Sequence, residues 1–364
     1  MSTLFSIFHS IESSLFPWLE EELDPLSEKE QQFVRVVSLT GLEKNMTQYH
    51  WYGRGRKRKD RVSIAKAFIA KSIYNLETTD ILIEYLRGCK NLRRLCGWEY
   101  SRSVPSRATF SRAFSEFADG NLAQIIHEAM VKEHLGDKLS GHVSRDSTAI
   151  QAREKPVKID KARKDTPKRK RGRPRKGEKV PPKDPKRLDL QPKRPLKENL
   201  DDLPIHCNVG TKKNSKGYKE SWTGYKLHLD CIDGDIPVSA ILTSASLHDS
   251  QAAIPLAQMS SKRITSLYDL MDAAYDAPQI HAFSESLGHK PIIDNNRRRG
   301  EKVYMDPPTL KRFGQRSSVE RVNGYLKDSH GGRTVRVRGN AKVMTHLMFG
   351  IIAITASQIF RLLA

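Results

Sequence analysis

Gly224-Tyr-Lys-Leu-His-Leu-Asp-Cys-Ile232, then Asp233-Gly234-Asp235, then Ile236-Pro-Val-Ser-Ala-Ile-Leu-Thr243 is the stretch that decides the fold. Two apolar, β-rich runs flank an Asp-Gly pair, the residues that accept the left-handed backbone of a tight hairpin turn. The spacing predicts two antiparallel strands.

Upstream, His142-Val-Ser-Arg-Asp-Ser-Thr-Ala-Ile150 alternates like another strand. Downstream, Ser250 to Met259 reads as a helix, Ile264 to Met271 as a strand ending at Asp272, and His289-Lys-Pro-Ile-Ile293 as a last short strand. A further helix is expected after Asp276-Ala-Pro278, with Asp276 as its N-cap. Strands interleaved with helices make a mixed α/β layer architecture.

Residues 1–139 read differently. Phe33 and Val37 recur at helical spacing, Ile64 to Tyr74 carries one apolar face, and Thr78 to Arg87 begins with capping residues and stops before Gly88. Ser106 is placed to cap a helix from Arg107 to Phe117. The pair of helices around Pro105, presenting Arg107 and Arg112, suits either a helix-turn-helix reader of the major groove or an ordinary bundle with surface arginines; the bundle is favoured. The expected organisation is a helical N-terminal domain over 1–139 for DNA binding or dimerisation, the first strand of the α/β domain in 140–155, an insertion over 156–204, and the rest of the α/β domain in 205–364.

The insertion is set apart by composition. The chain of 364 residues has 63 Lys and Arg against 42 Asp and Glu, a net charge of +21. Residues 151–200 hold 20 Lys and Arg against 7 Asp and Glu, so 20 − 7 = +13 of that surplus, with eight of the 18 prolines and no aromatic residue. Such a segment is expected to be extended and mobile. Its centre, Arg171-Gly172-Arg173-Pro174, resembles the AT-hook, in which two arginines enter a narrow A·T-rich minor groove. The alternative is a basic linker that touches any phosphate, and either way the partner is nucleic acid.

Other classes fall away. Cys89, Cys96, Cys207 and Cys231 form no Cys-x-x-Cys pair, which points to a reducing cytoplasm and away from zinc ribbons. His228 and Cys231 would face opposite sides of a strand and so cannot share an ion. The N-terminal stretch lacks a basic leader and is not read as a signal peptide. Val343 to Phe360 is 18 residues without a formal charge, but polar interruptions favour a buried helix over a membrane span. No nucleotide-binding glycine loop is present.

Three acidic residues carry the chemistry. Asp146 lies inside the first strand, Asp272 ends a later one, and Glu320 lies in Phe313-Gly-Gln-Arg-Ser-Ser-Val-Glu-Arg-Val-Asn-Gly-Tyr-Leu-Lys327. At about 100° per residue, Phe313, Arg316, Glu320 and Lys327 fall on one helical stripe. Asp269 is the alternative middle acid, on the opposite strand face, and Asp249 reads as a helix cap rather than a catalytic group.

The pattern Phe313-x2-Arg316-x3-Glu320-x6-Lys327 resembles the Tyr-Arg-Glu-Lys signature of DDE-type insertion-sequence transposases, with Phe in place of the family's Tyr. Asp146 in Arg-Asp-Ser-Thr and Asp272 in Asp-x-x-Tyr-Asp extend the resemblance in the expected order. It implies a ribonuclease-H-like catalytic domain in which Asp146, Asp272 and Glu320 hold two Mg²⁺ or Mn²⁺ ions. Arg316 and Lys327 would hold DNA phosphates. The implied reaction is cleavage and strand transfer at terminal inverted repeats, without ATP. The implied partners are element-end and target duplex DNA, in a homo-oligomeric complex at the nucleoid and with no membrane.

Overall fold

The computed structural model describes residues 3–46, 58–157, 185–213, 216–295 and 304–362. Before the first strand, those residues form helices α1 Thr3–Ser10, α2 Phe16–Glu22, α3 Glu28–Thr40, α4 Leu42–Asn45, α5 Arg61–Ile73, α6 Thr79–Gly88, α7 Lys90–Leu95, α8 Arg107–Asp119 and α9 Leu122–Leu135. Local chemistry sets their starts. Ser27 and Glu30 form a reciprocal capping box on α3, and the Thr78 hydroxyl accepts from the Ile81 N–H at the start of α6. Ser106 occupies the N-cap position of α8, but its hydroxyl lies 3.2 Å from the Thr109 hydroxyl and caps no backbone N–H, which corrects the expected cap.

The sheet comprises β1 Leu139–Gln151, β2 Asn208–Lys213, β3 Lys219–Ile232, β4 Ile236–Ser244, β5 Thr265–Met271 and β6 Lys290–Ile293. β3 runs antiparallel to β1, β2 and β4, while β1, β5 and β6 are mutually parallel neighbours in that order. The hairpin forms as read: Gly234 and Asp235 take φ of 83° and 61° in the β3–β4 turn. Gly224 marks the place where β3 exchanges β2 for β4; at φ 151° its missing Cβ would lie 2.1 Å from the Ile150 carbonyl oxygen.

Helices cover both faces. α10 Arg187–Leu190, α11 Leu196–Asp201, α12 Ser250–Ser260 and α13 Pro278–Ser286 lie on one side; α14 Pro307–Phe313, α15 Ser317–Ser329 and α16 Asn340–Arg361 complete the chain. α16 is long and apolar enough to cross a membrane, yet 89% of its most apolar stretch is buried inside the fold. It packs on α3, α5, α8, α9 and β4, with the Phe349 ring stacked 5.7 Å from Phe68 of α5. On α9, His127 Nε2 lies 3.1 Å from the Thr355 hydroxyl of α16 and 3.2 Å from the Pro237 carbonyl of β4. A single apolar core therefore runs from the N-terminal helices through α16 to the sheet.

The insertion is shorter than its composition suggests. Short helices at Arg187–Leu190, Gln191–Lys193 and Leu196–Asp201 dock on α12, where Asn199 is fully buried and donates to the Gln191 carbonyl and the Gln258 side chain. Arg187 adds an ion pair with Asp202 at 2.6 Å. The expectation of a mobile chain to residue 204 fails here because buried amides anchor the segment together with a few leucines, Leu188, Leu200 and Leu203, packed beside α12. Arg171 and Arg173 lie outside the described residues.

Candidate active site at the strand ends

Strand register builds the site. The last parallel pair of β1 and β5 is Arg145 with Met271, and the last pair of β5 and β6 is Met271 with Ile293. Asp146, Asp272 and Asp294 each follow directly, so three carboxylates stand side by side where adjacent strands, about 4.8 Å apart, end their pairing. The Asp294 N–H donates to the Met271 carbonyl at 3.2 Å, which keeps this end of the sheet closed. β1 is antiparallel to β3 on one edge and parallel to β5 on the other, and such a switch point opens a crevice at the carboxyl ends of strands.

Electrostatics mark the same place. Burial pushes the Asp146 carboxyl up to about 6, and the negative charge of Asp272 adds to the rise against the Ser147 N–H and Arg316. Asp272 is likewise raised, by burial first and then by Asp249 and Asp294, although its Oδ1 accepts from the Ala274 N–H at 2.9 Å. Tyr275 is buried within electrostatic reach of Asp146, Asp272 and Asp249, and its hydroxyl finds no hydrogen-bond partner among the described residues.

Asp249 belongs to this cluster, which corrects its reading as a cap. It stands at the N-cap position of α12 without capping a backbone N–H; its Oδ1 lies 2.8 Å from Lys226 Nζ. Burial would raise its carboxyl, but His228 and Lys226 outweigh it and hold it below its ordinary value. Asp276 is corrected too: Ala277 is the N-cap of α13, because Pro278 takes N1, and Asp276 instead lies 3.1 Å from His281 Nε2.

Asp269, the alternative middle acid, points away. It is buried with His289 Nδ1 at 3.2 Å, and together with Arg145 and Asp230 it forms a network on the opposite face of the sheet. His228 Nε2 meets the Thr243 hydroxyl at 2.9 Å, whereas Cys231 enters the apolar core on the other face.

Phe313, Arg316, Glu320 and Lys327 do not share one continuous helix. α14 ends at Phe313, a 3-10 turn covers Gly314–Arg316, and α15 starts at Ser317. Arg316 nonetheless caps the Phe313 ring at 5.8 Å and pairs with Glu320. The Ser144 hydroxyl donates to the Gln315 carbonyl at 3.2 Å and the Ser318 hydroxyl to the Ile232 carbonyl, so this turn is pinned to β1 and β3. Arg316 is thereby brought within reach of both Asp146 and Asp272. Glu320 is half-exposed and engaged by the arginine, and among the described residues no three His, Cys, Asp or Glu side chains form a ready-made metal cage. Lys327 is half-buried beside Lys212 and Arg333, in a small cleft of about 330 Å³.

A family model described as Transposase DDE domain matches residues 140–356, well over half of the chain. The chain belongs to the DDE transposase family. A second model, described as Transposase domain (DUF772), matches residues 19–116 of this transposase. Comparison with curated proteins and with solved structures gave no match. The DDE match contains every carboxylate of the strand-end cluster and all of α15, so family and geometry converge on one region.

Proposed function

We propose that this transposase performs metal-dependent cleavage and strand transfer of an insertion sequence at its terminal inverted repeats, with Asp146, Asp272 and Glu320 as the catalytic carboxylates. The strand order β4-β3-β1-β5-β6, antiparallel across the first three and parallel across the last three, with β2 added on β3, supports a ribonuclease-H-like catalytic fold. The observation that carries the reading is the pair Asp146 and Asp272: two partly desolvated carboxylates just past the point where the β1–β5 pairing ends, each raised, with the Tyr275 hydroxyl, unpartnered among the described residues, within electrostatic reach.

Desolvated like charges of this kind fit a divalent cation, and an all-oxygen donor set selects Mg²⁺ or Mn²⁺. Asp146 and Asp272 would hold it, with Glu320 joining once Arg316 turns to phosphate. When bound, a pair of such ions supplies an activated oxygen nucleophile and stabilises the leaving oxygen of a phosphodiester. The chain's own groups do the rest. Arg316, poised between carboxylates and solvent, positions the scissile phosphate, and Lys327 holds a neighbouring one. Asp249, held ionised by Lys226 and His228, adds its negative charge to the field felt by Asp146 and Asp272.

DNA is the partner in this reading, and the active complex is a homo-oligomer working at the nucleoid without a membrane. Arg171 and Arg173 in the basic segment, with Arg107 and Arg112 of α8, supply attraction away from the chemistry. Arg107 and Arg112 are five positions and so about 140° apart on α8, which makes them two separate contacts instead of one recognition edge.

A strand-transfer assay with a labelled terminal-repeat duplex, a plasmid target and Mg²⁺ tests the proposal. Joined product is expected; cleavage without joining would identify a nuclease instead, and neither product would leave only a DNA-binding protein.

A further inference from the structure

A cleft of about 720 Å³ lies away from the carboxylates, between α5, α6 and α8 on one side and the chain entering α16 on the other. Six cations line it: Lys71, Arg107, Arg153, Arg336, Arg338 and Lys342, against the acidic Glu77 and Asp80. Three of the cations come from one extended run, Arg333-Thr-Val-Arg-Val-Arg338, and its neighbour Lys342. In that run Val335 is buried and Val337 packs against the core, so the alternation turns Arg336 and Arg338 outward. Alternate residues of an extended chain stand about 6.6 Å apart, which lets each arginine meet its own phosphate on one DNA strand.

The run also connects two places. Arg333 lines the small cleft beside Lys327, whereas Arg336 and Arg338 line the large one. Arg338 Nε donates to the Arg153 carbonyl at 3.0 Å, tying the run to the chain just beyond β1. Five steps along β1 and two beyond it separate Asp146 from Arg153, a distance of about 20–23 Å. At 3.4 Å per base pair that is roughly six to seven base pairs.

We propose that this cleft seats the phosphate backbone of duplex DNA about six to seven base pairs from the reacting phosphodiester, with Arg336 and Arg338 as its principal contacts. The inference rests on the reading that Asp146 marks the site of chemistry. Duplex is favoured over single strand because, among the described residues, the rings lining the cleft are Phe68 and Phe114 of the buried core and His346, held at the Gly331 carbonyl, none of which offers a stacking platform. In the free protein Arg336 pairs with Glu77 at 3.0 Å and Arg107 with Asp80 at 3.3 Å. These pairs are exposed and weak, so phosphate can replace the carboxylates at little cost.

The test is fluorescence anisotropy of the full-length protein with a labelled 30-base-pair duplex and the matching single strand, without divalent metal, from 50 to 200 mM salt. Arg336→Gln/Arg338→Gln is expected to weaken duplex binding about tenfold and to lower the log-log salt slope by about 1.8, two phosphate contacts at about 0.9 each. Arg336→Lys/Arg338→Lys should restore the slope. Glu77→Gln/Asp80→Asn should tighten binding, a sign that misfolding cannot produce. An unchanged slope in the glutamine variant, or a loss confined to the single strand, overturns the proposal. A wild-type protein that binds with these slopes but neither cuts nor joins DNA overturns the proposed function and leaves the cleft intact, whereas normal transposition with an unchanged slope does the reverse.

Discussion

Arg145 and Asp146 are consecutive residues of one strand, and the two faces they serve could hardly differ more. Arg145 is buried and donates twice to Asp230, at 2.7 Å each, while Ser260 donates to the same carboxylate and His289 meets Asp269 nearby. Every charge there has a partner within the protein. On the other face Asp146 and Asp272 are raised by burial and by other carboxylates. One face is complete by itself; the other is built for something the chain does not supply.

The comparison can be broken most forcefully on its satisfied side. Arg145→Ala strands Asp230 in the core and should cost about 3–5 kcal/mol in urea unfolding, whereas replacing both partners by apolar residues of similar volume should cost far less. A loss under about 1 kcal/mol for Arg145→Ala would show that the network is not the structural half.

Asp146→Asn should do the opposite. Because its folded carboxyl sits at about 6 against an ordinary 3.8, Asp146 favours folding only when protonated; that contribution is present below about pH 4 and is lost as pH rises through about 6. In metal-free buffer the asparagine variant should match the wild type near pH 4 and exceed it above pH 6 by on the order of 2 kcal/mol. Equal stability at pH 7.5 would remove the argument for a strained site.

A smaller effect is expected at Arg316, whose charge works against the rise of both aspartates. Arg316→Gln should move the acid limb of the activity profile upward by less than about one pH unit, besides lowering the rate. Phe313→Tyr, which adds a hydroxyl to a ring already beneath the Arg316 guanidinium, should change stability by no more than about 0.5 kcal/mol.

Strands with apolar alternation were legible from sequence, and so was the hairpin turn. β2, Asn208-Val-Gly-Thr-Lys-Lys213, was not, because it is held by pairing with β3 and carries almost no apolar pattern of its own. The docked helices of 187–201 were hidden for a related reason: Gln191 and Asn199 are buried through hydrogen bonds in a segment whose Lys and Pro content argues for open chain. In the site, Asp146 and Asp272 were visible as carboxylates in or ending strands. Asp294 could have been found by the same signal, an acid directly after Pro291-Ile-Ile293. Asp249 was lost to its helix-cap position, since only the fold reveals that Lys226 claims its side chain. The break at Gly314–Arg316 was likewise beyond a helical-wheel reading, because it is fixed by bonds to β1 and β3.

Mn²⁺ binding followed by electron paramagnetic resonance on the full-length protein tests the contrast most directly. Wild type should bind Mn²⁺ at neutral pH and lose it as pH falls below about 6, with Asp146→Asn and Asp272→Asn each weakening binding by at least about tenfold. Unaltered Mn²⁺ affinity in both folded variants would contradict the assignment of this face as the metal-dependent site.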